Sequence, residues 1–322
     1  MGIKNPEISI LSNHCEPLSN RPESPDLFAF ESRLAPAFDI LRHKATSTPT
    51  AIALYGSKGT GRTTALRWLM EQSNEWNQIP QDTRDGHPQI IPVWVSAPHL
   101  KDQAYPERGI VSNMALKCLN QPQETEAKQT LLQQLVESGA EALGHGFASQ
   151  IQKLAAQWEM NNLPATGLPA DEAMASESCL AVLSNWLKHQ NANLRIVVFI
   201  DGLDHCPPHV AMSVLDAIGL QFRSGDFVFV VGLDDAIAQK MIARQQREYG
   251  YEDGEARPYL SRIFPVECQI APSRLQLKNF YEHQLNLLTK RAVNCLNAIC
   301  RRNKKNISKP PFFAWRKTIP EK

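Results

Sequence analysis

The residues in this chain best suited to chemistry are the run Gly56-Ser57-Lys58-Gly59-Thr60-Gly61-Arg62-Thr63-Thr64. Glycines at both ends let a loop turn its backbone N–H groups inward with no Cβ in the way, which is what a chain of phosphates requires. The run fits G-x-x-x-x-G-K-[ST] at every position but one, where Arg62 stands for the lysine. Thr63 would place its hydroxyl on Mg2+, and Arg62 would reach the β- and γ-phosphates. A guanidinium is bulkier than an ammonium, planar and best at bidentate contacts, so Arg62 would hold a triphosphate while positioning it imperfectly for transfer. Lys58 is either a compensating ammonium or a solvated lysine at the loop tip. For the whole run the plain alternative is an ordinary glycine-rich turn between a strand and a helix.

Carboxylates follow at the ends of apolar runs. Arg195-Ile-Val-Val-Phe-Ile200 leads into Asp201, which would hold Mg2+ through water at the carboxyl end of a strand. Gly202 stands where many NTPases carry a second acid that orients the attacking water. Asp204 is then the nearest carboxylate for the role of base, or else a cap for the turn before Pro207. A third run, Phe227-Val-Phe-Val-Val231, leads to Asp234, which would sense the γ-phosphate; alternatively Asp234 or Asp235 N-caps a helix over 236–247. Arginines 244, 247, 257, 262 and 274 are candidate γ-phosphate contacts, in cis or across a subunit interface. Arg262, just before a fifth apolar run, is the one chosen, although most surface arginines are solvated or paired.

These groups must be held by strands and helices that the same sequence predicts. Residues 51–55 read as a buried strand, and 63–75, with Leu66, Leu69 and Met70 on one face, as the helix after the loop. Residues 90–95 form a second strand in which Pro92 favours a sheet edge. The continuous apolar runs 195–200 and 226–231 suit parallel strands covered on both faces. Between them 207–223 reads as a helix with proline at its start and Gly225 after its end. Residues 263–270 are a fifth strand and 275–299 a helix. The predicted class is therefore α/β, a mainly parallel five-stranded sheet. Residues 1–25, with four prolines, read as a partly mobile leader. Residues 26–273 form the main domain, with a polar helical insertion over about 100–192 interrupted at 161–169. Residues 274–300 make a C-terminal helix and 301–322 a basic and aromatic tail. Phe30, Leu34, Phe38 and Leu41 mark an amphipathic segment early in the main domain, kinked or broken at Pro36.

Composition narrows the classes. At 43% hydrophobic and 21% charged residues the chain is ordinary globular material, which excludes wholesale disorder. Lys+Arg 34 against Asp+Glu 33 gives +1, so no global field would hold it on nucleic acid or an anionic membrane. No apolar run approaches the roughly 18 residues of a membrane span, and the first residues lack the form of a secretory signal. Seven cysteines without C-x-x-C pairing suggest reduced thiols, and the expected compartment is cytoplasmic.

With these residues in view, the sequence resembles the KAP family of P-loop NTPases from about Leu27 to Ser273. The resemblance rests on Ala51-Ile-Ala-Leu-Tyr-Gly56, Val93-Trp-Val-Ser-Ala97, Phe199-Ile-Asp201-Gly-Leu-Asp204-His-Cys206-Pro-Pro208 and Val228-Phe-Val-Val-Gly-Leu-Asp234. It implies an ASCE-type P-loop fold, Mg·ATP as ligand, and Asp201 with Asp204 as the acidic pair. Four positions depart from the family pattern: Arg62 for lysine, Gly202 for a second aspartate, His205 for arginine, and Pro98 where tryptophan is common.

The expected function is ATP binding with slow Mg-dependent hydrolysis that drives a conformational switch, with another protein chain or a second copy as partner. One alternative is a non-hydrolysing nucleotide switch or scaffold, for which the resemblance permits a place in a bacterial defence assembly; another is a DNA-handling ATPase. For the last, the tail offers Arg301, Arg302, Lys304, Lys305, Lys309, Arg316 and Lys317 among Phe312, Phe313 and Trp315. A solvated tail is the plain reading of the same residues. Asp204-His205-Cys206-Pro-Pro-His209 lacks a second ligand group at zinc spacing, and Gly144-His145-Gly146 reads as a loop.

Overall fold

Strand β1 (Thr50–Tyr55) is a Thr-Ala-Ile-Ala-Leu-Tyr run whose side chains alternate between two apolar layers. Ala51, Ala53 and Tyr55 enter one buried cluster and Ile52 and Leu54 the other. The same alternation runs through β3 (Leu194–Asp201) and β4 (Phe227–Leu233), where Val198 and Phe229 face one way and Phe199 and Val230 the other. A strand that is apolar on both sides must be covered on both sides, which is why these segments are continuous hydrophobic runs. This is a computed structural model, and it describes residues 29–101, 105–122, 124–139, 143–160, 175–190, 193–222, 225–248, 256–270, 273–283, 285–286, 289–290 and 293.

The five strands form one sheet in the order β2-β3-β4-β1-β5, and every pairing is parallel. Here β2 is Gln89–Ser96 and β5 is Val266–Gln269. Strand β2 is an edge, paired only with β3, so the missing N–H of Pro92 costs no ladder bond on its open side. The fifth strand is shorter than the predicted 263–270, because residues up to Ile263 belong to a helix. Strand β4 lies between β1 and β3, so the segments after β1 and β3 must meet across one intervening strand.

One face is covered by α1 (Phe30–Arg42) and α2 (Arg62–Gln78), through Phe30, Leu34, Leu41, Leu66 and Leu69. Helix α1 continues through Pro36 without the break that was one of the two expectations for it; the residue is exposed, where water can satisfy the carbonyl that its ring leaves unpaired. The C-terminal end of α1 is fastened to β3 by Arg195, whose Nη1 donates to the carbonyls of Leu41 and His43 at 3.0 Å each while Nε donates to Asp226 at 2.7 Å.

The other face carries α3 (Pro106–Leu119), α4 (Thr125–Glu137), α5 (His145–Gln157), α6 (Ala175–His189), α7 (Pro208–Asp216), α8 (Asp235–Glu248) and α9 (Ala256–Ile263). The insertion between β2 and β3 is thus part of the main core: Met114, Leu132, Ile151 and Leu183 share a cluster with Val198 and Phe229. Helix α5 begins at His145, so the predicted Gly144–Gly146 loop is a helix start, entered through Gly144 at φ 132. Helix α7 ends at Asp216 and continues as a π-turn over Ala217–Gln221, closed by Phe222 N–H on the Ala217 carbonyl. The interruption at 161–169, the leader 1–25 and the tail 301–322 lie outside the described residues.

The chain divides into two compact units, residues 1–271 and 272–322. In the second, residues 274–283 are helical, and Ser273 and Gln276 exchange side-chain to backbone hydrogen bonds at its start. Among the described residues no helix is long and apolar enough to cross a membrane.

Candidate functional site

The turn after β1 starts with Gly56, whose N–H donates to the Leu233 carbonyl of β4 at 3.1 Å. A Cβ built on Gly56 would lie 2.4 Å from Thr60 Oγ1 and 2.9 Å from Ile270 Cγ1, so only glycine fits. Thr60 closes the turn by donating its hydroxyl to the Ser57 carbonyl at 2.8 Å. Gly59 and Gly61 take φ of 83 and 91, in the left-handed region that glycine adopts without strain. Gly61 abuts Phe30 of α1, whose ring carbon Cζ is 3.3 Å from where a Cβ would be. Arg33 of the same helix donates to the Ile270 carbonyl at 3.2 Å, so α1 and the end of β5 flank the loop.

Helix α2 starts at Arg62 with Gly61 in the cap position, no side chain capping it and no acid in its first turn. Its first backbone bond is Ala65 N–H to Gly61 carbonyl at 2.8 Å. An α-helix leaves its first N–H groups without intrahelical partners, and here they meet the positive end of the helix dipole with nothing anionic from the first turn to compete. Ser57, Lys58 and Gly59 are exposed, so the loop tip is open. Thr64 lies half-buried in the first turn of α2.

Thr63 and Asp201 meet. The Thr63 hydroxyl donates to Asp201 at 3.0 Å to Oδ2 and 3.2 Å to Oδ1. Strands are spaced about 4.8 Å apart, so with β4 between them β1 and β3 lie roughly two spacings from one another. Gly232 on β4 lies beside this contact: a Cβ there would lie 3.1 Å from Leu66 Cδ1 and 3.8 Å from Asp201 Oδ1. A larger residue would fill the space through which α2 reaches the carboxylate. Sequence reading passed over Gly232, although a glycine inside an otherwise apolar strand is a signal of close approach.

Arg62 and Asp204 also meet. Asp204 sits in the short helical turn Leu203–His205 after β3, and its Oδ2 accepts from Arg62 Nη2 at 2.6 Å. The two side chains are 10% and 5% exposed, and Arg62 Nη1 is buried with no hydrogen-bond partner among the described residues. His205, a more exposed imidazole, has Nε2 4.0 Å from the same carboxylate oxygen. Gly202, at φ 79, lies against Pro98. Cys206, two residues past Asp204, donates weakly to the Gly202 carbonyl, and its thiol is pushed up to about 11 by burial, with the Asp204 charge adding to the effect.

The remaining residues chosen from sequence are Asp234, which follows the β4 residue bonded to Gly56, and Arg262. Asp234 is buried and caps α8: its Oδ1 accepts from Ile237 N–H at 3.3 Å. Arg262 is exposed in the last turn of α9. Its helix neighbour Arg257 is the arginine that reaches the carboxyl edge of the sheet, donating to Asp235 at 2.9 Å and to Glu267, with its guanidinium 5.2 Å from the Tyr55 ring centre. Tyr55 directly precedes the loop, and its buried hydroxyl has no partner among the described residues. Burial above all, and then the Glu267 charge, pushes that phenol up to about 12.

The donor set fits a phosphate chain with magnesium. The loop carries a glycine position that a Cβ would overfill, a helix start with no side-chain cap, and a buried guanidinium arm lacking an acceptor. Thr63 and Asp201 supply a hydroxyl and a carboxylate, the hard oxygen donors magnesium takes.

Comparison with curated proteins gave no match. The model of the KAP family P-loop domain matches residues 35–294, most of the chain and all five strands. The loop after β1, the acid at the end of β3 and their meeting across β4 agree with that match, and the chain belongs to the KAP family of P-loop domains.

Proposed function

We propose that the chain binds ATP with Mg2+ and hydrolyses it slowly, the nucleotide state setting a conformation that another chain or a second copy reads. The observation that carries this reading is the Thr63–Asp201 contact, which joins the phosphate-loop helix to the acid at the end of β3. Bound magnesium would neutralise phosphate charge and polarise the bond to the γ-phosphorus.

The chain's own residues have separate tasks in this scheme. The amides that follow Gly56, through the first turn of α2, hold the phosphates, and Thr63 and Asp201 hold the metal. Arg62 supplies a cation whose Nη1 arm needs an oxygen. Asp204 is the carboxylate for a water proton. At 2.6 Å from Arg62 it serves first as that cation's acceptor, so it must leave that contact before it can take the proton. Gly202 adds no second carboxylate, so the attacking water is poorly oriented and turnover is slow. Asp234 and Arg262 are the candidate sensors, Asp234 through the α8 cap that it holds at the end of β4.

The buried Arg62–Asp204 pair also favours a second reading, a switch that binds nucleotide without hydrolysing it. Titration calorimetry with Mg·ATP, run beside phosphate release, separates the two. Saturable heat, weakened about tenfold by Asp201→Ala, supports the shared nucleotide reading. Phosphate release above that of Asp201→Ala favours slow hydrolysis, and release equal to it favours the silent switch. No heat with any nucleoside triphosphate and magnesium would overturn both.

A further inference from the structure

We infer that Asp204 competes with nucleotide phosphates for Arg62, so that the resting loop is held closed to anions by a carboxylate of its own chain. This rests on the nucleotide reading above. Lys58 is exposed at the loop tip, whereas Arg62 is the loop's buried cation, and Asp204 Oδ2 lies 2.6 Å from its Nη2 with both side chains at least nine-tenths buried. A phosphate oxygen approaching Arg62 therefore meets a cation already neutralised at close range, with a second carboxylate, Asp201, across from Thr63.

Charges taken out of water attract and repel far more strongly than exposed ones, so a buried Asp204 weakens anion binding more than a surface acid would. The pair is nonetheless incomplete as a structural bridge. Arg62 Nη1 is buried and has no acceptor among the described residues, and a guanidinium presents a fork that a carboxylate or phosphate can grip with two oxygens. Asp204 takes one arm only. An incoming phosphate can offer oxygens to both arms once the side chain turns out of its buried position, and it then displaces Asp204. Asp204 thus sets the affinity of the loop for phosphate, and its carboxylate becomes available to water once Arg62 has left it.

The test is pyrophosphate and ADP binding in excess chelator, which removes any contribution of metal, compared between wild type, Asp204→Asn, Arg62→Met and the double variant. Melting temperature is measured with and without each ligand. Asp204→Asn is expected to lower the melting temperature of the free protein, tighten both ligands about tenfold, and enlarge the ligand-induced rise. In the Arg62→Met background the same substitution is expected to change ligand affinity less than twofold. A pair with only a structural role would lower the free melting temperature and leave affinity unchanged. That result, or equal tightening in the Arg62→Met background, would overturn the competition while leaving the nucleotide reading intact. Failure of wild type and Asp204→Asn alike to bind pyrophosphate, ADP or Mg·ATP would overturn both.

Discussion

Pro98 and Gly202 are packed as a pair: a Cβ on Gly202 would lie 3.0 Å from Pro98 Cδ and 3.2 Å from its Cγ. Both positions depart from the family pattern that the sequence resembles, and here they occupy one place, where the turn after β2 meets the turn after β3. Gly202 is also at φ 79, a conformation that disfavours any side chain. A side chain at position 202 would therefore have to displace the proline of a neighbouring turn.

Restoring that acid alone is expected to fail. Gly202→Asp should destabilise the protein by about 1–3 kcal/mol through positive φ and contact with the proline ring, without raising turnover. Pro98→Ala combined with Gly202→Asp should recover part of the loss, with a coupling of roughly 0.5–1 kcal/mol in a double-mutant cycle followed by urea unfolding. Strict additivity of the two changes would show that the turns are independent.

Gly232→Val should separate folding from metal binding. The added branches point at Leu66 and Asp201, and overpacking of this kind costs about 1–3 kcal/mol. The variant is expected to fold, with a lower unfolding midpoint, and to lose the magnesium dependence of ATP binding, because Thr63 and Asp201 are pushed apart. Calorimetry with and without magnesium checks this; an unchanged magnesium dependence would mean that Gly232 does not govern the approach of α2 to β3.

Arg195→Met tests the fastening of α1. Arg195 is 2% exposed and serves three backbone carbonyls, of Ile40, Leu41 and His43, and Asp226. Removing it strands those acceptors, for an expected loss of roughly 3 kcal/mol. Amide exchange should show the last turn of α1 opening first, and protection equal to wild type there would refute the capping role.

Tyr55 makes stability fall at alkaline pH. Its folded value is raised from 10.0 to about 12, chiefly by burial, so the neutral phenol is favoured in the folded state. The contribution is fully present below pH 10.0 and is lost as pH rises towards about 12, because the unfolded chain releases the proton first. Tyr55→Phe removes a buried hydroxyl without a partner, so it should leave stability at neutral pH unchanged or slightly higher and flatten the alkaline fall. Urea midpoints across that range, beside tyrosinate absorbance, provide the measurement; an equally steep fall in Tyr55→Phe would assign the effect to other groups.

Sequence alone determined what depends on neighbours along the chain. Gly59 and Gly61 mark a turn because φ preference is local, and Pro92 places β2 at an edge because the missing N–H belongs to the residue itself. The runs in β1, β3 and β4 read as doubly covered strands, since burial on both faces demands continuous apolar character, and Asp201 stood out by ending one of them. Tertiary structure decided what depends on pairs far apart in sequence. Arg62 faces Asp204 over a separation of 142 residues, and Gly232 matters only because β4 lies between β1 and β3. Asp234 makes the cap that its sequence position offers, to the Ile237 amide, and the sensing role proposed for it is a separate matter. The fifth strand was read too long because the apolar residues of α9 and β5 adjoin without a break, and so Arg262 was expected beside a strand where Arg257 reaches the sheet edge instead. Composition and periodicity describe each segment's own surface, whereas the partner that a side chain meets is fixed by how the sheet orders its strands.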